Sequence, residues 1–130
     1  MSVRNVVKRM LPVFLHDAIV RRMSGGDDDL KAYLKGDRVP WSRGYSDYKA
    51  WFVSETLADK TLMDAFSSGG VLTEGFGYGV DERCVEYPWV TANLSGRSDV
   101  LLDAGSALNY AFVLDHGVFK NKTIHILTLA

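Results

Sequence analysis

The 130-residue chain balances 15 lysines and arginines against 16 aspartates and glutamates, with 47% hydrophobic and 24% charged residues, which suits one small globular unit and exerts no electrostatic pull toward nucleic acid. A single cysteine, Cys84, excludes an internal disulfide and a cysteine-paired metal site, fits a reducing compartment and is expected to be a buried, inert thiol. No apolar run approaches the roughly 18 residues of a membrane span and no signal-peptide core with a small-residue cleavage site opens the chain, so a cytoplasmic location without a transmembrane segment is expected.

Residues 2–23 set Val3, Val6, Val7, Met10, Phe14 and Ile19 among Arg4, Lys8, Arg9, Arg21 and Arg22. The spacing predicts one or two amphipathic helices, bent or restarted at Pro12. Their basic rim suits an anionic membrane surface or a partner protein, and equally a solvated edge of a helix packed on its own domain. "SGGDDD" at 24–29 breaks this helix and supplies capping carboxylates for a short helix near "DLKAYLKG". The expected division is an N-terminal helical segment at 1–39 and a second unit at 40–130.

That second unit begins extended at Pro40 and turns helical by about Ser46, with Ser46 or Asp47 as cap and a division at Asp59 or Thr61. Trp41, Tyr45, Tyr48, Trp51 and Phe52 have faces suited to stacking on bases or sugars, but in a chain of neutral charge core packing is the preferred reading. Glycines at 69, 70, 75, 77 and 79 predict a flexible or turn-rich crossing, and Asp81 is a natural cap for the helix "DERCVEYPWVTANL", in which Pro88 predicts a kink or a new start. "SDVLLDAG" and "KTIHILTLA" read as strands. The 18 or so residues between them look helical and forbid a tight hairpin, so the strands are expected to pair in parallel through a right-handed crossover, the earlier helices covering one face. The fold class is therefore α/β: N-terminal helices followed by a β-α-β unit.

In an open parallel sheet, ligands bind beyond the carboxyl ends of the strands, where a following helix begins with unpaired amides. Asp103 and Gly105 fall at that place in "VLLDAGSALN". A dinucleotide pattern G-x-G-x-x-G would need glycine at 105, 107 and 110, where the chain has Gly105, Ala107 and Tyr110, which argues against a nicotinamide cofactor. The stretch resembles the first motif of class I S-adenosylmethionine-dependent methyltransferases, an acid followed by alternating glycines at the end of the first strand. Asp103 matches the acid and Gly105 the first glycine, while Ala107 and Asn109 stand where further glycines are commonest. The segment from "YGVDERCVEYPWV" onward, with "PWSRGYSDYKAWF" upstream, resembles a poorly characterised methyltransferase-like family often associated with glycan and polysaccharide biosynthesis.

The resemblance implies the first part of a Rossmann-like methyltransferase sheet. It implies S-adenosylmethionine held by Asp103, Gly105, Ser106 and Ala107, with Arg83 and Glu86 able to reach the cofactor's carboxylate and amino group. For the last two, an intrahelical ion pair is the simpler reading. The family's ribose-binding acid at the end of the second strand, and the residues that would select an acceptor such as a sugar or glycan, are expected beyond Ala130, so the chain is expected to be inactive alone. A sheet of two strands also favours an oligomer or a partner chain that completes it. The alternative is a non-catalytic helical or Rossmann-like interaction module, or a remnant. His16, His116 and His125 are too scattered for a metal site, and no grouping suggests nucleophilic catalysis, so no metal and no catalytic residue is assigned.

Overall fold

In a computed structural model, residues 28–128 are described; the amphipathic segment expected at 2–23 and its charged rim lie outside them. The described residues form α1 (Asp28–Lys35), α2 (Tyr45–Ala58), α3 (Lys60–Ser68), α4 (Arg83–Asn93), β1 (Val100–Ala104), α5 (Ala111–Leu114), a 3-10 turn (Gly117–Phe119) and β2 (Thr123–Leu127). This is an α/β arrangement of helices with one small two-stranded sheet.

Helix α2 is the centre of the molecule. Tyr45, Tyr48, Trp51, Phe52, Val53, Thr56 and Leu57 are all buried, far more than one amphipathic stripe would bury. Successive residues on a helix point about 100° apart. Phe52 accordingly joins one core, with Leu30 and Tyr33 of α1, Tyr45, Tyr48, Trp51 and Cys84. Val53 joins a second, with Leu57, Tyr87, Val113 and Phe119. Leu30 and Tyr33 thus lie before residue 39 and share a core with residues after it. Burial of each such large apolar side chain contributes about 1.5–3 kcal/mol.

The helix does not start on a side-chain cap at Ser46 or Asp47. Two consecutive turns deliver the chain to it. Ser42 N donates to Val39 O at 3.2 Å and Tyr45 N to Ser42 O at 3.0 Å, with Trp41 (φ +70°) and Gly44 (φ +82°) third in each turn. Gly44 is required there: a Cβ would stand 2.0 Å from Asp29 O. Asp59 ends α2 and caps α3, its Oδ1 accepting from Leu62 N at 2.8 Å, as the sequence leads one to expect. The glycine-rich crossing is a ribbon of three overlapping turns, in which Phe76, Tyr78 and Val80 N donate to Thr73, Gly75 and Gly77 O. Helix α4 then runs continuously from Arg83 to Asn93 through Pro88, with no new start there.

β1 and β2 pair in parallel, Val100 opposite Thr123 and Ala104 opposite Leu127. Leu101 and Ile124 turn toward the helices and pack on the second core, while Val100 and Leu102, 69% and 67% exposed, turn away from it. The strand starts are tied by Lys122, whose fully buried side chain donates to Ser95 O at 2.6 Å and to Arg97 O. The crossover departs from expectation: instead of one helix it contains the single turn α5 and the 3-10 turn. Gly105 (φ +98°) and Ser106 (φ +58°) are left-handed and Tyr110 is extended, so no helix can begin before Ala111. At the far end His116 Nδ1 accepts from Val118 N at 3.3 Å, which starts the 3-10 turn in place of a further helical turn.

Candidate functional site

At the carboxyl end of β1 the pleat sends Asp103 to the helical side, where it is 6% exposed. Its Oδ1 accepts from Ala107 N and its Oδ2 from Leu108 N, both at 2.9 Å. Gly105 N donates to Leu127 O at 2.8 Å, extending the ladder one step past β1. The acid therefore organises the turn from within, as a charge-assisted cap of two backbone amides. This corrects the expectation of a helix start with free amides beside Gly105: the amides nearest the turn are taken by Asp103, and the helix begins later and is only one turn long. The backbone of Gly105 itself is open, since a Cβ there would meet nothing within 4 Å.

Helix α4 faces this turn. Its start is fixed by Asp81, whose Oδ1 accepts from Arg83 N at 3.2 Å and whose Oδ2 takes Lys49 Nζ at 3.1 Å, while Asp81 N donates to Tyr45 Oη at 3.3 Å. Burial opposes ionisation of Asp81, but its hydrogen bonds with Tyr45 and Lys49 and the lysine charge outweigh burial and hold its carboxyl below the ordinary value. One turn on, Arg83 Nη1 donates to Glu86 Oε2 in an i,i+3 ion pair, with the guanidinium carbon 5.8 Å from the centroid of the Tyr87 ring. Between α4 and the turn lies an open groove of about 410 Å³, walled by Arg83, Val85, Glu86, Tyr87, Trp89 and Val90 on one side and Ala107 and Leu108 on the other. Its wall is almost wholly apolar, with the ion pair as its charged element. The volume falls in the range of small-molecule sites.

Of the six residues singled out in the sequence, Arg83, Glu86 and Ala107 meet in this groove, Asp103 braces its wall from behind, and Gly105 and Ser106 form the turn that leads into it. Val85, Trp89 and Leu108 were not anticipated. The spacing of Val85 and Trp89, four apart on α4 and respectively 42% and 56% exposed, was the available signal of an outward apolar stripe. Tyr87, buried at the base, has Tyr110 and Phe112 as ring neighbours with centroids 6.2 and 6.1 Å away, and burial pushes its hydroxyl up to about 12. Cys84 lies on the opposite side of α4 in the aromatic core, where burial pushes its thiol up to about 11. Four of the five aromatics near residue 45 are buried as expected; Trp41 is the exception, 75% exposed. No described helix is long and apolar enough to cross a membrane. No protein-family model, curated protein or solved structure matches the chain.

Proposed function

We propose that the groove between α4 and the 103–108 turn binds S-adenosylmethionine, and that the chain is the cofactor-binding part of a methyltransferase whose acceptor is a sugar or glycan. The observation that carries the reading is the convergence of Arg83, Glu86 and Ala107 on one groove at the carboxyl end of a parallel strand, with Asp103 holding the Ala107 and Leu108 amides. The residues present suit the ligand's amino-acid end: Arg83 would take a carboxylate and Glu86 an ammonium, each exchanging its present partner for one of opposite charge on the ligand. The apolar wall of Val85, Trp89 and Leu108 would exclude water from the uncharged remainder. Bound there, the cofactor supplies an electrophilic methyl group. The protein's part is alignment, and a misplacement of about 1 Å is worth on the order of a hundredfold in rate. Beside the groove the described residues place only β1 and β2, a narrow frame for aligning an acceptor, so the 130-residue chain is expected to bind without turnover.

Calorimetric titration of the 130-residue chain with S-adenosylmethionine tests the reading. Binding is expected to be millimolar or tighter, and Arg83→Ala is expected to weaken it about tenfold, the loss of one charge-assisted hydrogen bond. Absence of heat at millimolar ligand sinks the proposal. A competing reading, a scaffold without catalysis, is favoured by one observation: both Asp103 oxygens are spent on the chain's own backbone. It predicts no heat and no effect of Arg83→Ala on partner affinity.

A further inference from the structure

We infer that Trp41, at the corner of the 39–42 turn, is a stacking platform for one neutral sugar ring. The turn reads Val-Pro-Trp-Ser and is closed by Ser42 N donating to Val39 O at 3.2 Å. Pro40 suits its second position, and a left-handed third position normally falls to glycine. The next turn obeys that rule with Gly44 (φ +82°), whereas here the third residue is Trp41 (φ +70°). A bulky side chain in that region is strained, and such strain concentrates where a ligand is held. Burial offsets little of it, since the residue is 75% exposed. The ring is nevertheless propped. The Tyr45 ring lies 4.7 Å away, centroid to centroid, and Lys49 Nζ stands 5.4 Å from the indole centroid. Tyr45 is itself buried, and Lys49 is tied to Asp81 at 3.1 Å, so neither prop is loose. Lys49 Nζ is also 5.6 Å from the Tyr45 centroid; the two props stand together, and most of the indole surface remains open.

What this surface would take follows from its size and charge. Residues 39–43 are all exposed, and the apolar surface they offer is Val39, Pro40 and the indole. A stable protein partner needs about 800 Å² on each side, far more than one turn presents. A nucleotide or other phosphate calls for an uncompensated cation, yet Arg43 of the turn is paired with Asp29 at 2.6 Å and Lys49 with Asp81. A sugar ring needs neither. One of its C–H faces covers an indole, and its hydroxyls call for donors and acceptors side by side, which Ser42 and the solvent-facing Arg43–Asp29 pair supply next along the chain. Trp41 does not line the α4 groove, so the inference goes beyond the cofactor reading and does not rest on it.

The test is an NMR titration of the 130-residue chain with cellohexaose, whose linked glucose rings present flat C–H faces. The indole N–H signals of Trp41, Trp51 and Trp89 are followed together with the Ser42 and Arg43 backbone amides. Mannitol, an open-chain polyol without a ring face, and a thymine oligonucleotide are the comparison probes. Cellohexaose is expected to displace the Trp41, Ser42 and Arg43 signals saturably in the millimolar range while the Trp89 signal stays still, and mannitol is expected to displace none. Trp41→Phe keeps a ring and is expected to retain the saturation within about threefold. Trp41→Gly and Trp41→Asn remove the ring but accept a left-handed φ, so both are expected to keep the urea midpoint and to lose the displacement of Ser42 and Arg43. No displacement by cellohexaose, an equal displacement by mannitol, a moving Trp89 signal beside a still Trp41, or displacement retained in both ring-less variants overturns the inference. Saturation by the oligonucleotide and not by cellohexaose overturns it in favour of a base-stacking surface.

Discussion

The two cores on either side of α2 finish their packing in different ways. Around Phe52 the aromatic layer is closed on all sides by α1, the paired turns at 39–45 and the 73–80 ribbon, and Tyr33, Tyr45, Tyr48 and Trp51 are each at most 2% exposed. Around Val53 the sheet closes only one side: Leu101 and Ile124 face the core, while Val100, Leu102 and Leu127 stay uncovered. The aromatic layer is therefore the more completely covered of the two, and the outward face of the sheet is the part where substitutions are expected to have little global effect. A ligand groove belongs at that second edge, where the backbone is accessible and the packing is unfinished.

The strongest way to break the contrast is to place the same methyl group in each region. Gly44→Ala combines a left-handed φ with a Cβ 2.0 Å from Asp29 O, whereas Gly105→Ala meets the φ penalty alone. Gly44→Ala is expected to cost about 4 kcal/mol or more, and Gly105→Ala about 1–3 kcal/mol, both read from urea unfolding midpoints. Equal losses would mean that the 39–45 turns rearrange freely. A truncation pair comes next. Phe52→Ala empties the middle of the aromatic layer and is expected to cost about 3–5 kcal/mol, while Leu102→Ala on the open face stays within about 0.5 kcal/mol. A large loss at Leu102 would show that its face is covered in solution.

A last expected effect concerns the link between the layers. Lys49 and Asp81, whose side chains are 12% and 11% exposed, join α2 to the start of α4. Because the folded-state carboxyl of Asp81 is held below its unfolded value of 3.8, its contribution is complete above about pH 4 and is lost as pH falls through the folded value. Removing the lysine is expected to cost about 2 kcal/mol at neutral pH and to flatten the acid limb of the stability curve. An unchanged acid limb in Lys49→Met would place the acid sensitivity elsewhere.

Much of this was legible along the chain. The strands around "VLLDA" and "TIHIL", their parallel pairing, the cap at Asp59, the buried thiol of Cys84 and the Arg83–Glu86 pair all follow from alternation, spacing and capping chemistry, which act over a few residues. The missing crossover helix did not, because "SALNYAFVLDHG" has acceptable helical content, and what prevents the helix is Asp103 drawing the Ala107 and Leu108 amides back to the strand end. The opposite behaviour of Trp41 and Trp51 was equally hidden. Both are apolar aromatics ten residues apart, and only the third position of the Val39–Ser42 turn puts one in water while helix α2 puts the other in the core. Local sequence determined which elements form and in what order, since hydrogen-bonding periodicity and capping are short-range. The tertiary structure decided which apolar side chains are covered, that Arg38 is buried with no anionic partner among the described residues, and that Ala107 faces Arg83 across a groove, since each depends on contacts between residues far apart in the chain.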